Sequence, residues 1–555
     1  MKRRSFIKNT GALASAPLLL NGIAVKSMPN RLLNTNCDVS DRVLVVIQLF
    51  GGNDGVNTFV PLDQYDEYLS LRPNIGLRKS SETNGYIDLD STLSSGKQIG
   101  LHPALTGMKS MYEDDMLSII QGVGYPSMNK SHFAATDLWM SGSDSASASE
   151  QTSTGWMGRY LLEQFPNISA LPNEEMQDPP GIRLGDSKPA LGFFCNSDHS
   201  VAVNLSKQSP DNFSSLISSV GGENPNVVLG SDYGDDLNFI INTLNSTNAY
   251  ADRITQVYNN GSNSSTTYPS SSLAGQLKIV ARLLAGGSKT KVFLLRSSFG
   301  FDTHAGQVSN STDRHLGDHA NGLADLSDSI KAFQDDLKLL GLEDKVLGTT
   351  LTEFGRKVTE NGNLGTDHGT LAPMIVFGKG CKSGVFGDNP NLSSLDATGA
   401  LNNDDLQHDY RQVYTSLLQD WLGASSSTLT ATYFDTFENQ KVDIVDSNYK
   451  VNEECLLDSI TDATNGGTAI ASSISLSPNP AKDFVTIDMS LLSDYHHVEI
   501  ALLDVNGDVL IKQSVSDVHI NSELDLDISS IKEGQYFIRV ATEKFDVSKK
   551  LLIQK

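Results

Sequence analysis

The chain has 555 residues, enough to bury a large core and to hold more than one domain. Its 42 basic and 66 acidic residues leave a net charge of −24. Such a surface repels nucleic acid and anionic membranes, yet it still admits an anionic substrate wherever a bound divalent cation reverses the local field. The four cysteines, Cys37, Cys195, Cys381 and Cys455, form no CxxC pair, which argues against a thiolate zinc site and leaves bridged or free thiols open.

The amino terminus reads Lys2-Arg3-Arg4-Ser5-Phe6-Ile7-Lys8 and runs into a moderately apolar stretch broken by Pro17 and Asn21. A basic start followed by a short apolar segment is a signal peptide pattern, expected here over residues 1–28. The stretch is too short and interrupted to span a bilayer, and no other segment is a transmembrane candidate. The Arg-Arg-x-Phe-Ile-Lys arrangement resembles the twin-arginine signal, which implies the twin-arginine translocase as a partner; an ordinary secretory signal is the alternative.

Residues 40–450 read as one α/β domain. Val43–Phe50 is a buried-strand run that ends at glycines, and Met116–Ile120 is a second strand. Leu273–Leu284 reads as a helix stopped by Gly286-Gly287, followed by a strand over Lys291–Leu295. A long helix is expected from His315 to Leu340, since Leu323, Leu326, Ile330, Phe333, Leu337 and Leu340 recur every three or four residues on one face. Val346–Leu351 and Pro373–Phe377 are strands, and Tyr410–Leu422 is an amphipathic helix. Strands alternating with helices predict a mostly parallel sheet covered by helices on both faces. Ser141–Thr154 and Asn259–Ser272, rich in Ser, Asn and Thr or Asp, read as surface loops.

A small-residue linker is expected over residues 451–473, and residues 474–555 change character. Val485–Met489, Val498–Leu503, Val509–Ile511 and Tyr536–Val540 are short strands separated by turn signals, among them the hairpin pair Asn506-Gly507. This pattern predicts a small all-β sandwich. The runs Leu476-Ser477-Pro478-Asn479-Pro480, Leu503-Asp504-Val505-Asn506-Gly507, Gly534–Val540 and Lys549–Ile553 resemble the type A carboxyl-terminal sorting domain of the type IX secretion system of Bacteroidetes. The resemblance implies that the type IX machinery is a partner, and that the chain passes the periplasm to the cell surface or the medium, usually losing the tail.

Four polar clusters follow or flank apolar runs, where an open α/β sheet binds its ligands. In Gly51-Gly52-Asn53-Asp54-Gly55, Asp54 is a metal carboxylate or a helix cap. In Phe301-Asp302-Thr303-His304, Asp302 and His304 project to one side of an extended segment, either to grip an ion or to hold a loop. Glu353, Asp367 and His368 add two carboxylates and an imidazole, and Arg356 either meets a phosphate or sulfate or neutralises Glu353. Ser131 is a nucleophile or the cap of a helix over Phe133–Met140. His102 faces the site or orders a turn, and Asp409 precedes a helix that it would cap. His315 and His319 lie one helical turn apart without the glutamate of an HExxH motif, and read as a surface face.

Together Leu49–Gly55, Leu101–Leu105, Ser131-His132-Phe133, Gly155–Arg159, Phe301–His304, Glu353–Arg356, Thr366–Gly369 and Asp409-Tyr410-Arg411 resemble domain-of-unknown-function family 1501, grouped with the alkaline phosphatase and sulfatase superfamily. The resemblance covers about residues 40–425 and implies an alkaline-phosphatase-like fold with metal ions at the carboxyl ends of the strands. It implies Asp54, Asp302, His304 and His368 as metal-site residues and Ser131 as the nucleophile; on the reading of the residues Glu353 and Asp367 join the expected metal set and Arg356 joins Ser131 as an expected catalytic residue. Glu353 stands where many members have Asp-His, and the Cys-x-Pro-x-Arg motif of sulfatases is absent. The functional expectation is a secreted hydrolase of phosphate or sulfate esters that uses divalent ions (zinc, manganese or calcium, with iron also suited to mixed nitrogen and oxygen ligands). The alternative is a non-catalytic surface protein that keeps the fold and binds glycans or a partner.

Overall fold

A computed structural model describes residues 39–144, 153–165, 172–173, 176–186, 188–196, 199–205, 210, 247–452, 456, 476–488, 497–504, 509–516, 523–541 and 546–555, with the dipeptides Leu19–Leu20 and Ile23–Ala24. The rest of the expected signal peptide, the linker, Cys37, Cys455 and the Asn506-Gly507 turn lie outside the described residues. The chain forms two compact units, Met1–Leu456 and Leu457–Lys555. No helix among the described residues is long and apolar enough to cross a membrane.

The first unit is built on a nine-stranded sheet. Its strands are β1 (Val43–Gln48), β2 (Leu117–Gly124), β3 (Gly181–Leu184), β4 (Ala202–Leu205), β5 (Val292–Arg296), β6 (Val346–Leu351), β7 (Ala372–Phe377), β8 (Gly384–Phe386) and β9 (His408–Asp409). The order is β4-β3-β5-β1-β6-β7-β2-β8, with β9 on the end of β2. Every pairing is parallel except those of β7, which runs antiparallel to β6 and β2. The sheet is therefore mixed, and the expected mostly parallel arrangement holds apart from that strand. Pro373 has no N–H for the ladder, and the register between β7 and β2 shifts across it.

Successive side chains of a strand point to opposite faces, and the core divides accordingly. Leu44 and Val46 join one cluster, with residues of helices His132–Ser141, Trp156–Gln164 and Tyr410–Ser416. Val43, Val45 and Ile47 join the other, with Thr106–Glu113, Ser272–Ala285 and Asp318–Leu340. Both faces are covered, so the central strands read as unbroken apolar runs.

Several element boundaries differ from the sequence expectation, two of them in helices that carry candidate residues or follow them. The long helix starts at Asp318, because Gly317 before it takes φ +131° and turns the chain. His315 thus lies ahead of the helix, and His315 and His319 do not share a helical turn. The helix from Tyr410 ends as α-helix at Ser416 and continues as one π turn, Leu417–Trp421. Asp409 caps it, accepting from Arg411 N–H at 3.0 Å while Gln412 Oε1 accepts from Asp409 N–H at 3.0 Å.

The second unit has two antiparallel sheets, one of Leu476–Ser477, Phe484–Asp488 and Glu523–Asp527, the other of His497–Leu503, Val509–Ser516, Gly534–Ala541 and Asp546–Ile553. Val485, Ile487 and Leu526 of one pack in a single core with Val498, Ile500, Leu502, Ile538, Val540, Leu551 and Ile553 of the other, the spacing of two that a sandwich demands.

The carboxyl ends of β1, β2, β5 and β6 lie at one edge of the first sheet, and antiparallel β7 begins at that edge. Loops 49–54, 125–131, 297–304, 352–356 and 366–371 therefore meet there. Gly51 permits one of these close approaches: its φ is +120°, and a Cβ would stand 2.3 Å from the Asp302 backbone nitrogen. Gly51→Ala is expected to lower the stability of the first unit by more than about 1 kcal/mol. Urea unfolding followed by circular dichroism checks it, and an unchanged midpoint would show that the loops can part without cost.

Candidate metal centre

Three imidazoles and one carboxylate occupy the edge where these loops meet. His132 opens the helix after β2, Asp302 and His304 follow β5, and His368 precedes β7. His132 Nε2 lies 3.4 Å from Asp302 Oδ2, His304 Nε2 lies 3.1 Å from Asp302 Oδ1, and His368 Nε2 lies 3.4 Å from the same oxygen. Ligand atoms of His132, Asp302 and His368 all fall within 4.8 Å of one another, the one such grouping of three or more His, Cys, Asp or Glu among the described residues.

The far nitrogen of each ring is fixed. His132 Nδ1 is 2.7 Å from Glu353 Oε1, His304 Nδ1 is 3.2 Å from Asp367 Oδ1, and His368 Nδ1 is 2.9 Å from the backbone oxygen of Lys130. A carbonyl only accepts, so His368 carries its proton on Nδ1. Burial holds His368 below its ordinary pKa, which favours the neutral ring. Its bare Nε2 then faces the Asp302 carboxylate, lone pair against lone pair. His132 Nε2 and His368 Nε2 are both buried without a hydrogen-bond partner. A cation between ring and carboxylate would satisfy both lone pairs at once. The His132 shift runs the other way from that of His368: its hydrogen bond to Glu353 raises its pKa, with the Asp302 charge adding to the effect.

Arg356 governs the carboxylate. Its guanidinium is buried and donates to the backbone oxygens of Gly51, Gly52 and Thr366 and to Asp302 Oδ1. Partial burial works against ionised Asp302, but the Arg356 hydrogen bond and charge overcome it, and the carboxyl titrates below its ordinary range. Phe354 packs against the cluster, its ring centroid 4.9 Å from that of His132 and 4.7 Å from that of His368.

The structure thus brings Asp302, His304 and His368 together and places the other candidate residues apart from them or behind the rings. Asp54 is wholly buried in a private ion pair, its Oδ2 2.6 Å from Arg72 Nη1 and also bonded by Gln307, while Oδ1 caps a short helix at Asn57 N–H. Burial opposes its charge, Arg72 outweighs that, and its pKa is lowered. It is a structural anion apart from the cluster. Glu353 and Asp367 stand behind His132 and His304; Glu353 Oε1 also takes the Gly51 N–H at 2.7 Å, and Asp367 is further held by Asn361 and Lys357. Arg356 is wholly buried and spends four of its five N–H donors on tying loops together, so it does not present a fork to an ester. Ser131 is exposed at the start of the His132 helix, and its hydroxyl makes no capping bond. Cys381 is buried and unbridged.

His132 is the ligand candidate that sequence reasoning passed over in favour of its neighbour Ser131. Its partner Glu353 is 221 positions away, so only the fold reveals the pair. His102 and His319 belong to a separate buried group: His319 Nε2 is 3.0 Å from Asn53 Oδ1, and the two rings meet edge to face at 5.8 Å.

These features define a mixed α/β protein with a three-histidine, one-carboxylate cluster at the carboxyl edge of its sheet, joined to a β-sandwich tail. Residues 241–420 match the family model described as "Protein of unknown function (DUF1501)", and residues 475–554 match that described as "Secretion system C-terminal sorting domain". Both families are those that the sequence motifs resemble. The sorting tail implies export to the cell surface or the extracellular space. A search of curated proteins gives no match. Solved structures similar to the chain include a protein in the alkaline phosphatase superfamily from Vibrio parahaemolyticus, at 8% identity and a TM-score of 0.29, covering 93% of this chain and 82% of that one. Another is the PsFucS1 sulfatase from Pseudoalteromonas sp., at 13% identity and a TM-score of 0.24, covering 90% of this chain and 83% of that one.

Burial lowers the His319 pKa to about 4 and holds His102 well below its ordinary value. The unfolded chain takes up these protons near the ordinary histidine value of about 6.5, so between the two values it binds more protons than the native state. Stability is full above that range and falls as pH drops towards 4, by roughly 3 kcal/mol for His319. Urea midpoints at pH 7 and pH 4.5 are expected to differ less in His319→Gln than in the native chain. Equal differences would show that His319 takes its proton before unfolding.

Proposed function

We propose that the chain is an exported, metal-dependent hydrolase of phosphate or sulfate esters, with His132, His304, His368 and Asp302 as the residues that would hold the ion. The observation that carries this reading is the bare, buried Nε2 of His368 facing an ionised carboxylate. The residues fit a transition metal: three imidazoles and one carboxylate suit zinc, manganese or iron, whereas calcium takes oxygen ligands. When bound, such an ion polarises an ester oxygen as a Lewis acid.

The chain's own groups set the rest. Glu353, Asp367 and the Lys130 carbonyl orient the three rings by their Nδ1 protons. Arg356 keeps Asp302 charged and aimed at the rings. Ser131, exposed next to His132 with an uncommitted hydroxyl, is the nucleophile in this reading. Its oxygen would bond to phosphorus or sulfur as the bond to the leaving alcohol breaks, the serine proton passing to that alcohol; water then cleaves the seryl ester. On the same reading the twin-arginine translocase carries the chain into the periplasm and the type IX machinery carries it out by the tail.

A second reading, a surface protein that holds the ion without turnover, draws on Arg356: the guanidinium expected to grip the ester is spent on three carbonyls and Asp302.

Elemental analysis of the purified chain is expected to find about one transition-metal ion, lost in His132→Ala and His368→Ala, and Glu353→Gln is expected to weaken its binding by about 10- to 100-fold. Hydrolysis of nitrophenyl phosphate or sulfate should disappear with the ion and in Ser131→Ala. Metal content indifferent to both histidines refutes the site, and a metal-loaded chain inert to both esters favours the second reading.

A further inference from the structure

With Arg356 committed, other cations near the cluster must meet whatever charge a substrate carries beyond the ester itself. Lys130 and Lys357 border it, but each has its own carboxylate, Asp396 at 3.5 Å and Asp367 at 3.4 Å. A different balance holds at the ends of β3 and β5. Arg183 Nη2 and Arg296 Nη1 both reach Asp186 Oδ2, at 3.0 and 2.6 Å. Among the described residues Asp186 is the one carboxylate paired with either arginine, so the trio keeps one positive charge. Arg183 and Asp186 are largely covered, whereas the Arg296 side chain is 33% exposed. Its backbone is pinned on both sides by Gln276, which donates to the Arg296 oxygen at 2.9 Å and accepts from its N–H at 3.2 Å. The side chain therefore projects from a fixed strand end.

Its location ties it to the metal centre. The Arg296 guanidinium carbon lies 4.3 Å from the centre of the Phe50 ring, and that ring lies 5.4 Å from the ring of His132. Arg296 is thus one aromatic ring away from the cluster, on the same sheet edge. Its Nε and Nη2 have no partner among the described residues. A net positive charge and an open guanidinium fork are the components of an oxyanion site.

We infer that Arg296 forms a subsite for a second anionic group of the substrate, so that the preferred ester carries another sulfate, phosphate or carboxylate on the far side of Phe50 from the scissile group. The inference rests on the metal-centre reading for the position of the scissile group, while the charge balance of the subsite is independent of it. A bland role, in which Arg296 only clamps Asp186 and Phe50, predicts no difference between singly and multiply charged ligands.

Calorimetric titration of the full chain with inorganic sulfate and with sucrose octasulfate, in metal-loaded and in chelator-treated protein, separates these cases. Arg296→Gln is expected to weaken octasulfate binding at least about tenfold while inorganic sulfate binding and metal content stay unchanged, and Arg296→Lys to lose less. Asp186→Asn, which releases both guanidiniums, is expected to strengthen octasulfate binding. The inference is overturned if the native chain ignores octasulfate, if Arg296→Gln and Asp186→Asn both bind it as the native chain does, or if Arg296→Gln weakens both ligands alike. If the purified chain takes up no metal ion when one is supplied, yet its octasulfate binding still falls on Arg296→Gln, the metal-centre reading fails and the subsite stands.

Discussion

One buried guanidinium holds the functional edge of this protein together. Arg356 reaches the loop after β1 through Gly51 and Gly52, the loop after β5 through Asp302, and the segment before β7 through Thr366, while itself standing in the loop after β6. Removing a guanidinium from water costs several kcal/mol unless its donors are met, and here acceptors from three other segments meet four of the five. The loops are thereby fixed relative to one another before any ligand arrives. The same contacts set the charge of Asp302, so scaffold and electrostatics share one side chain.

Around that fixed carboxylate the histidines are arranged by rule. Each turns Nε2 inward because its Nδ1 proton has an acceptor behind it: a buried glutamate, a half-exposed aspartate or a backbone carbonyl. The three anchors differ in strength. Glu353, wholly buried and shared with the Gly51 N–H, is the firmest, and Asp367, open to solvent and shared with Asn361 and Lys357, is the loosest. The ring of His304 is accordingly the one with most freedom to swing.

Much of this was legible in the sequence because it is written in local patterns. The apolar run at Val43 ending on glycines, the helical stripe from Leu323 to Leu337 and the alternation of Val485 and Ile487 each declare an element from neighbouring residues alone. The direction of β7 was not legible, since its residues would serve a parallel strand equally well and only pairing with β2 and β6 decides. Nor were the roles of individual acids. Asp54 and Asp302 each follow a strand and a turn, yet one meets Arg72 and the other meets three imidazoles, and both sets of partners lie beyond any local window. Arg356 looked like an anion-binding group because a lone arginine beside a carboxylate does; the three carbonyls that occupy it are backbone atoms, which no residue type announces.

The reversed strand also bears on how the cluster is held. Every other contributing loop leaves its strand towards the edge, but His368 arrives there first and its strand follows. The fourth donor is therefore carried by the segment that enters Ala372–Phe377, a strand held between β6 and β2. A substitution that loosens that pairing would reach the cluster through His368, whereas one in β5 would reach it through Asp302 and His304 together.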